Sequence, residues 1–507
     1  MANKSRLEDR VPCRTGIIAT LGPATDQPGV LEQVVKAGCR IFRLNFSHGA
    51  IDEHLAHIQA VRVLEAQLDT PLAIMSDLPG PKIRVVEVAG NGIQVEAGEE
   101  IIFNRNQVGP CQVPAKGESP ELGCTWTGIV DCVKPGDRVL INDGAIRLLA
   151  TESDGDCLYC RVTAGGLITS HKGVNLPDSD LDIEVPTPRD RELVAWAFDN
   201  DVDLIAMSFV RSPSEIEMIR SIMQDKTSTT GHERPLPIIA KIEVPPAVAA
   251  AEEIIAAADG VMVARGDLGV EMDLAQVPVI QKRLIAIARR LDRPCIVATQ
   301  MLQSMVDSPV PTRAEASDVA NAIFDGADAV MLSGETAIGD YPVLAVETMH
   351  RIAQETEAWI DDSEGSVVEF SPVRSSFDQA TDDTHALVAG IWSAAKTVHA
   401  KCIVVFSEWG TWSRLISRGV RPVPIVAYTP RPSVVRQMLL CRGVIPELME
   451  IVPDDAILSR DAQHRLGDVA WLEDGDAIIV VLGRPLKKES HSARITVHRI
   501  GDGIEQT

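Results

Sequence analysis

The sequence predicts an α/β fold: a (β/α)8 barrel interrupted by an inserted all-β lid domain and followed by a C-terminal α/β domain with a mostly parallel sheet. Three observations carry this expectation. Short apolar runs alternate eight times with segments of helical spacing, and eight such units favour a closed barrel over an open sheet. After the third run comes a gap of roughly a hundred residues rich in Val, Ile, Thr and Gly turns, too long for a structureless connection in a compact domain. After the eighth unit a polar, Ser-rich stretch, DDSEGSVVEFSPVRSSFDQATDD, sets off a further strand–helix alternation.

The barrel strands read in order as GIIATLGPAT, CRIFRLNFSHG, PLAIMSDLPG, DLIAMSFVR, PIIAKIE, DGVMVARGDLG, PCIVATQM and GADAVMLSGE. Segments such as VLEQVVKAG and VIQKRLIAIARRLD have helical spacing between them. The insert contains VKPGDRVLINDGAIRLL and CLYCRVTAGGLI, and because it grows from a βα loop it lies above the barrel mouth as a lid. Gly and Pro punctuate both of its hinges, DLPGPKIR and HKGVNLPDSD. The C-terminal alternation runs through ALVAGIWSAAKTVHA, CIVVFSE, TWSRLISRG, VPIVAY, SVVRQMLLCRG and AIIVVLG. The expected limits are a tail at 1–10, the barrel at 11–84 and 183–360, the lid at 85–182, a linker at 361–382 and the last domain at 383–507.

Composition narrows the function. The chain has 507 residues and a net charge of −24, which speaks against nucleic acid as a partner because a phosphate backbone requires a basic face. No run of 18 apolar residues and no N-terminal apolar core occurs, so a membrane partner is not expected and a cytoplasmic location is. Of ten cysteines, five (Cys111, Cys124, Cys132, Cys157 and Cys160) fall in the insert. The CxxC at 157–160 has no second pair at zinc-site spacing, so free thiols are expected.

The predicted strands end in polar residues: Thr20, Arg43, Asn45, Ser47, Asp77, Lys241, Glu243, Asp267, Thr299, Ser333 and Glu335. Barrel active sites sit at those ends. Lys241 and Glu243 stand two apart on an otherwise apolar strand, hence on one face. Glu243 and Asp267 suit Mg2+, a hard cation that takes carboxylates, water and substrate oxygens. The turn Arg265-Gly266-Asp267 opens a helix, where backbone amides receive an anion and Gly266 allows close approach. Arg43 and Lys241 supply positive charge for a phosphoryl group. These residues point to a phosphorylated, carboxylated small molecule.

TLGPAT, RLNFSHG, KIE, MVARGDLGVE, ATQML, PTRAEASDVANAIFDG and MLSGETAIGDYP, in this order, resemble the pyruvate kinase family. The resemblance implies phosphoryl transfer from phosphoenolpyruvate to ADP, giving pyruvate and ATP, by a homotetramer. It implies that Glu243 and Asp267 hold Mg2+ (or Mn2+) and that Lys241 and Arg43 stabilise the phosphoryl group in flight. Arg265, Gly266 and Asp267 then bind the substrate, and Thr299 lies where the enolate is protonated. Asn45, His48, Arg84 and Lys172 contact the nucleotide, the last from the lid, while Ser333 and Glu335 orient the site. Two rival readings, another phosphoenolpyruvate-handling Mg2+ barrel and a degenerate metabolite-binding barrel, lack support in these motifs.

K+-dependent members of the family bind that ion at positions matching Asn45, Ser47, Asp77 and the carbonyl of Leu78. They carry Thr where this chain has Leu78 and Glu where it has Lys82. A lysine ammonium has the charge of K+, so Lys82, paired with Asp77, is expected to replace the ion and make the enzyme K+-independent. The family's phosphorylated effector binds near a Ser/Thr-rich loop. Here that loop is SEWGTWS, with Ser407, Thr411 and Ser413 as donors, but Glu408 and Trp409 weigh against fructose 1,6-bisphosphate. Another sugar phosphate, a nucleotide or no effector all stay open.

Overall fold

A computed structural model describes residues 13–107, 109–115, 118–230, 233–362, 382–419, 423–450, 452, 455–467, 469, 471–484 and 492–501. Eight parallel strands close into a TIM barrel: β1 (Gly16–Thr20), β2 (Ile41–Asn45), β3 (Ala73–Asp77), β4 (Leu204–Met207), β5 (Ile238–Ile242), β6 (Gly260–Ala264), β7 (Cys295–Ala298) and β8 (Ala329–Leu332). Each is apolar on both faces because helices cover the outside and side chains fill the inside. Ile17, Phe42, Ile74, Ile205, Ile238, Val261 and Val297 pack outward against the helices. Their neighbours Ile18, Ile41, Met75, Ala206, Ile239, Met262 and Ile296 fill the interior.

That alternation fixes the mouth of the barrel. Two residues beyond an inward apolar side chain, the next inward position lies at the strand's C-terminal end. Thr20 therefore follows Ile18, Arg43 follows Ile41, Asp77 follows Met75, and Lys241 and Glu243 follow Ile239. The register completes the placement, pairing Thr20 with Arg43 and Asn45 with Asp77 across neighbouring strands.

Between β3 and β4 the lid forms a six-stranded sheet in the order Val174–Asn175, Arg138–Ile141, Ile146–Ser153, Cys157–Ala164, Glu100–Asn104, Glu121–Leu122, with a separate pair of strands, Ile93–Val95 and Gly166–Ile168. It has its own core, including Val95, Phe103, Ile141, Leu148, Leu158 and Cys160. All ten cysteines of the chain are free thiols.

The C-terminal sheet runs Val444–Leu448, Ile425–Thr429, Cys402–Phe406, Ala477–Arg484, Ser492–Arg499, with only the last strand antiparallel. Its first strand carries Pro446 and pairs on one side only, as a proline-containing edge strand must; that proline hides it in the sequence. The domain docks under the barrel, where Leu440 joins the interior cluster. Arg418 Nη1 donates to Asp328 Oδ2 at 2.8 Å, and Arg436 Nε donates to Asp203 Oδ1 at 2.6 Å.

Candidate active site

At the barrel mouth Asp77 is the hub. Its Oδ2 accepts from Arg43 Nε at 2.6 Å and its Oδ1 from Lys241 Nζ at 2.9 Å. Arg43 Nη1 reaches Thr20 Oγ1 at 3.2 Å. Lys241 Nζ also donates to Ser208 Oγ at 2.7 Å and pairs with Glu243 Oε1 at 2.8 Å. Ser208 in turn donates to the Leu78 carbonyl at 2.6 Å. The second Glu243 oxygen accepts the Phe209 amide at 2.7 Å.

Burial and charge set the protonation states. Burial would lower Lys241, but Asp77 and Glu243 beside it more than offset that and hold its ammonium well above the usual lysine range. Burial would raise Asp77, and Arg43 and Lys241 reverse this, keeping it an anion at low pH. Glu243 and Asp267 go the other way: burial raises both despite Lys241. Two buried carboxylates with raised pKa and hard oxygen donors suit a divalent cation whose remaining shell comes from substrate and water.

Beside this network, the helix Arg265–Glu271 begins directly after β6. The Gly266 amide donates to Thr299 Oγ1 at 2.7 Å, and that hydroxyl donates to the Ala298 carbonyl at 2.6 Å. Thr299 and Gln300 have φ of 68° and 53°, a costly conformation for a β-branched residue such as Thr299. Arg265 maintains it, bonding the Thr299 carbonyl through Nη2 at 2.8 Å and Asp318 through Nη1 at 2.5 Å. The guanidinium of Arg265 therefore braces the turn and is not directed at a substrate; its backbone and Gly266 border the site. Glu335 is fully buried and accepts the amides of Ser333 at 2.7 Å and Leu302 at 3.1 Å, so it too braces the loop after β7.

Above the mouth, a cleft of about 1000 Å3 between lid and barrel is lined by His48, Lys82, Arg84, Lys172, Asp267 and Glu271, among others. Arg84 Nη1 donates to the His171 carbonyl at 2.6 Å, tying it to the returning hinge. His48 is lowered, first by burial and then by Lys82, Arg84 and Arg43, so it is neutral at pH 7. On the lid side, Asn175 Nδ2 donates to Glu271 Oε1 at 2.7 Å.

The expected pairing of Lys82 with Asp77 does not form. Both oxygens of Asp77 are taken by Arg43 and Lys241, and Lys82 makes no ion pair among the described residues. Its surface opens to the cleft, whose walls lower it to about 8, first by burial and then through Arg84 and Lys241, against Asp77 and Asp267. Of the other residues matched to the K+ site, Asn45 Oδ1 accepts the Ser47 amide at 3.2 Å and the Leu78 carbonyl is held by Ser208.

The expected phosphate loop in the C-terminal domain also changes. Thr411 and Ser413 lie in the helix Thr411–Ser417, Ser413 is fully buried, and Glu408 pairs with Arg431 at 2.6 Å. Ser407, Thr411 and Ser413 therefore do not form one exposed cradle. Ser208 is the residue sequence reasoning missed. Its signal was present, because DLIAMSFVR ends in a polar residue like the other strands.

Known proteins match this chain in sequence and in fold. A family model for the pyruvate kinase barrel domain matches residues 13–346, and one for the pyruvate kinase alpha/beta domain matches residues 385–498. The chain is 39% identical over 475 residues to pyruvate kinase 2 of Synechocystis sp., covering 93% of this chain and 77% of that protein. It is 37% identical over 489 residues to the pyruvate kinase of Mycobacterium tuberculosis, covering 96% and 99%. A crystal structure of a pyruvate kinase from Cryptosporidium parvum superposes with a TM-score of 0.87 at 31% identity, covering 98% of each chain.

Proposed function

The chain belongs to the pyruvate kinase family of phosphotransferases, and on that premise we propose that it transfers a phosphoryl group from phosphoenolpyruvate to ADP without needing K+. The product pair is pyruvate and ATP, the last step of glycolysis. The observation that carries the reading is the Arg43–Asp77–Lys241–Glu243 network at the barrel mouth.

Catalysis of this transfer is positioning and electrostatics. Lys241, kept charged by Asp77 and Glu243, and Arg43, steered by Asp77, meet the phosphoryl oxygens. Gly266 and the backbone around it receive the substrate carboxylate. Glu243 and Asp267 would hold Mg2+ (or Mn2+), which supplies Lewis-acid neutralisation of the substrate's oxygens. The Thr299 hydroxyl, held beside Gly266, stands on the side from which the enolate carbon takes its proton. Asn45, His48, Arg84 and Lys172 take the nucleotide, with Lys172 delivered by the lid.

K+ independence has a physical basis. Asp77 and the Leu78 carbonyl are already satisfied by Arg43, Lys241 and Ser208. Lys82 adds a cation to the cleft a short distance away, acting through space without a direct bond to Asp77. We extend the proposal to the domain limits given above, a cytoplasmic location and a homotetramer, the last supported by exposed apolar side chains on the barrel exterior, Leu274 and Val279 among them. Among the described residues no helix is long and apolar enough to cross a membrane.

The test is pyruvate formation from phosphoenolpyruvate, ADP and Mg2+ in a tetramethylammonium buffer, followed by addition of K+. Turnover at its full rate before K+ is added is the expected result. Turnover only after K+ would leave the phosphotransferase and remove the K+ independence; none under either condition would remove both.

A further inference from the structure

The turn that follows β2 carries Asn45 and His48, two of the residues assigned above to the nucleotide. His48 is exposed and lines the cleft under the lid. A side chain on an exposed turn meets a ligand in one fixed place only if its backbone is held. Local bonds do part of this: the Phe46 amide donates to the Asp77 carbonyl at 3.1 Å, the Ser47 amide to Asn45 Oδ1 at 3.2 Å, and the His48 amide to the Asn45 carbonyl at 3.1 Å.

The rest comes from behind, from the helix Ile51–Leu68. His54, in its first turns, is 5% exposed, and its ring Nε2 donates to the His48 carbonyl at 2.9 Å. A carbonyl only accepts, so Nε2 carries the proton. Burial lowers His54 below the usual histidine range, which keeps the ring neutral at pH 7. The same ring packs on Phe46 with centroids 4.4 Å apart, and Phe46 meets Trp196 edge-on at 5.4 Å. Trp196 belongs to the helix Pro188–Asp199, which follows the returning lid hinge and whose Asp190 accepts the Gly80 amide of the outgoing hinge at 3.1 Å. Gly49 allows the close fit: its φ is 79°, and a Cβ there would lie 2.9 Å from Glu53 Oε2 and 3.4 Å from His54 Nε2.

Packing alone does not call for a histidine here. The Nδ1 of His54 is buried with no partner among the described residues, an acceptor whose desolvation nothing offsets. An apolar side chain would avoid that cost and leave the His48 carbonyl unheld.

We propose that His54 is a positioning residue for the nucleotide, and that the His54–Phe46–Trp196 column sets Asn45 and His48 at the cleft. The role rests on the nucleotide reading of those two residues. Arg43, two residues before Asn45 on the same strand, does not depend on the column, because Asp77 and Thr20 hold its guanidinium. Loss of the column therefore falls on ADP and spares phosphoenolpyruvate.

The test is equilibrium binding of ADP with Mg2+, and separately of phosphoenolpyruvate with Mg2+, to the full chain, with steady-state pyruvate formation beside it. His54→Phe keeps a ring on Phe46 and removes the donor. It should weaken ADP about tenfold, raise the KM for ADP in step, and leave kcat and phosphoenolpyruvate affinity within about twofold. His54→Gln retains a side-chain N–H for the same carbonyl and should recover most of the loss. Trp196→Leu removes the edge contact at the other end of the column; it should weaken ADP several-fold, and it decides the matter if His54→Phe does not fold. Unchanged ADP affinity, equal losses for both ligands, or a glutamine variant as weak as the phenylalanine one would each overturn the proposal. A wild type that binds ADP yet forms no pyruvate would remove the reaction alone, and the ADP affinities would still decide the role of His54.

Discussion

The two ends of the barrel hold similar side chains for opposite purposes. At the bottom, Arg418 meets Asp328 with both side chains almost fully buried, and Arg436 spans Asp203 and Asp201. Each of these charges has a close partner across the domain boundary. At the top, Glu243 and Asp267 carry raised pKa values, and Lys82 stands in the cleft without an ion-pair partner among the described residues. Paired charge joins domains; charge left unbalanced at a strand end waits for a substrate and its cation.

The largest expected effect comes from breaking the top. Lys241→Met should lower kcat by about 10²–10³-fold, the usual loss when one transition-state cation is removed. Steady-state pyruvate formation alongside a thermal melt would separate this from misfolding, since the barrel's apolar layers are untouched. Breaking the bottom should do the reverse. Asp328→Ala strands the buried Arg418 and should cost about 3–5 kcal/mol of stability, read as a fall in Tm, with kcat of the folded fraction unchanged. A fall in kcat without a fall in Tm would erase the distinction between the two ends.

A subtler contrast lies in pH. Lys82 has its pKa lowered to about 8, so its charge is complete below that value and is lost as pH rises through it. The K+-free rate should therefore decline across that limb, and Lys82→Met should start lower and lack the limb. A pH–rate profile of both proteins in tetramethylammonium buffer checks the sign. The smallest effect belongs to the lid. Asn175→Ala removes its hydrogen bond to Glu271, worth about 1 kcal/mol, and should raise the KM for ADP while leaving kcat within twofold or so.

Much of this was legible in the sequence because a barrel strand is a simple code. Ile239, Lys241 and Glu243 alternate inward by period two, so a polar residue two beyond an interior apolar one had to reach the mouth. The eight strands and the lid were marked by the same apolar runs and Gly turns. What stayed hidden depended on three-dimensional competition for a partner. Asp77 could be placed, yet nothing in DLPGPKIR says that Arg43 and Lys241 reach it before Lys82 does. Arg265 was expected among the substrate-binding residues, but its guanidinium turned to the strained Thr299 backbone and to Asp318, contacts made across 34 and 53 residues. Ser413 sat in a loop-like motif that is a buried helical turn.

The claim that unpaired positive charge at the barrel mouth replaces a monovalent cation is tested most directly by one comparison. The rate of pyruvate formation would be followed against K+ concentration, from zero, for the wild-type chain and for Lys82→Glu side by side. The wild type should be flat across the titration, and the variant should be slow without K+ and gain rate as K+ is added. A wild type that itself requires K+, or a variant as indifferent to K+ as the wild type, would contradict it.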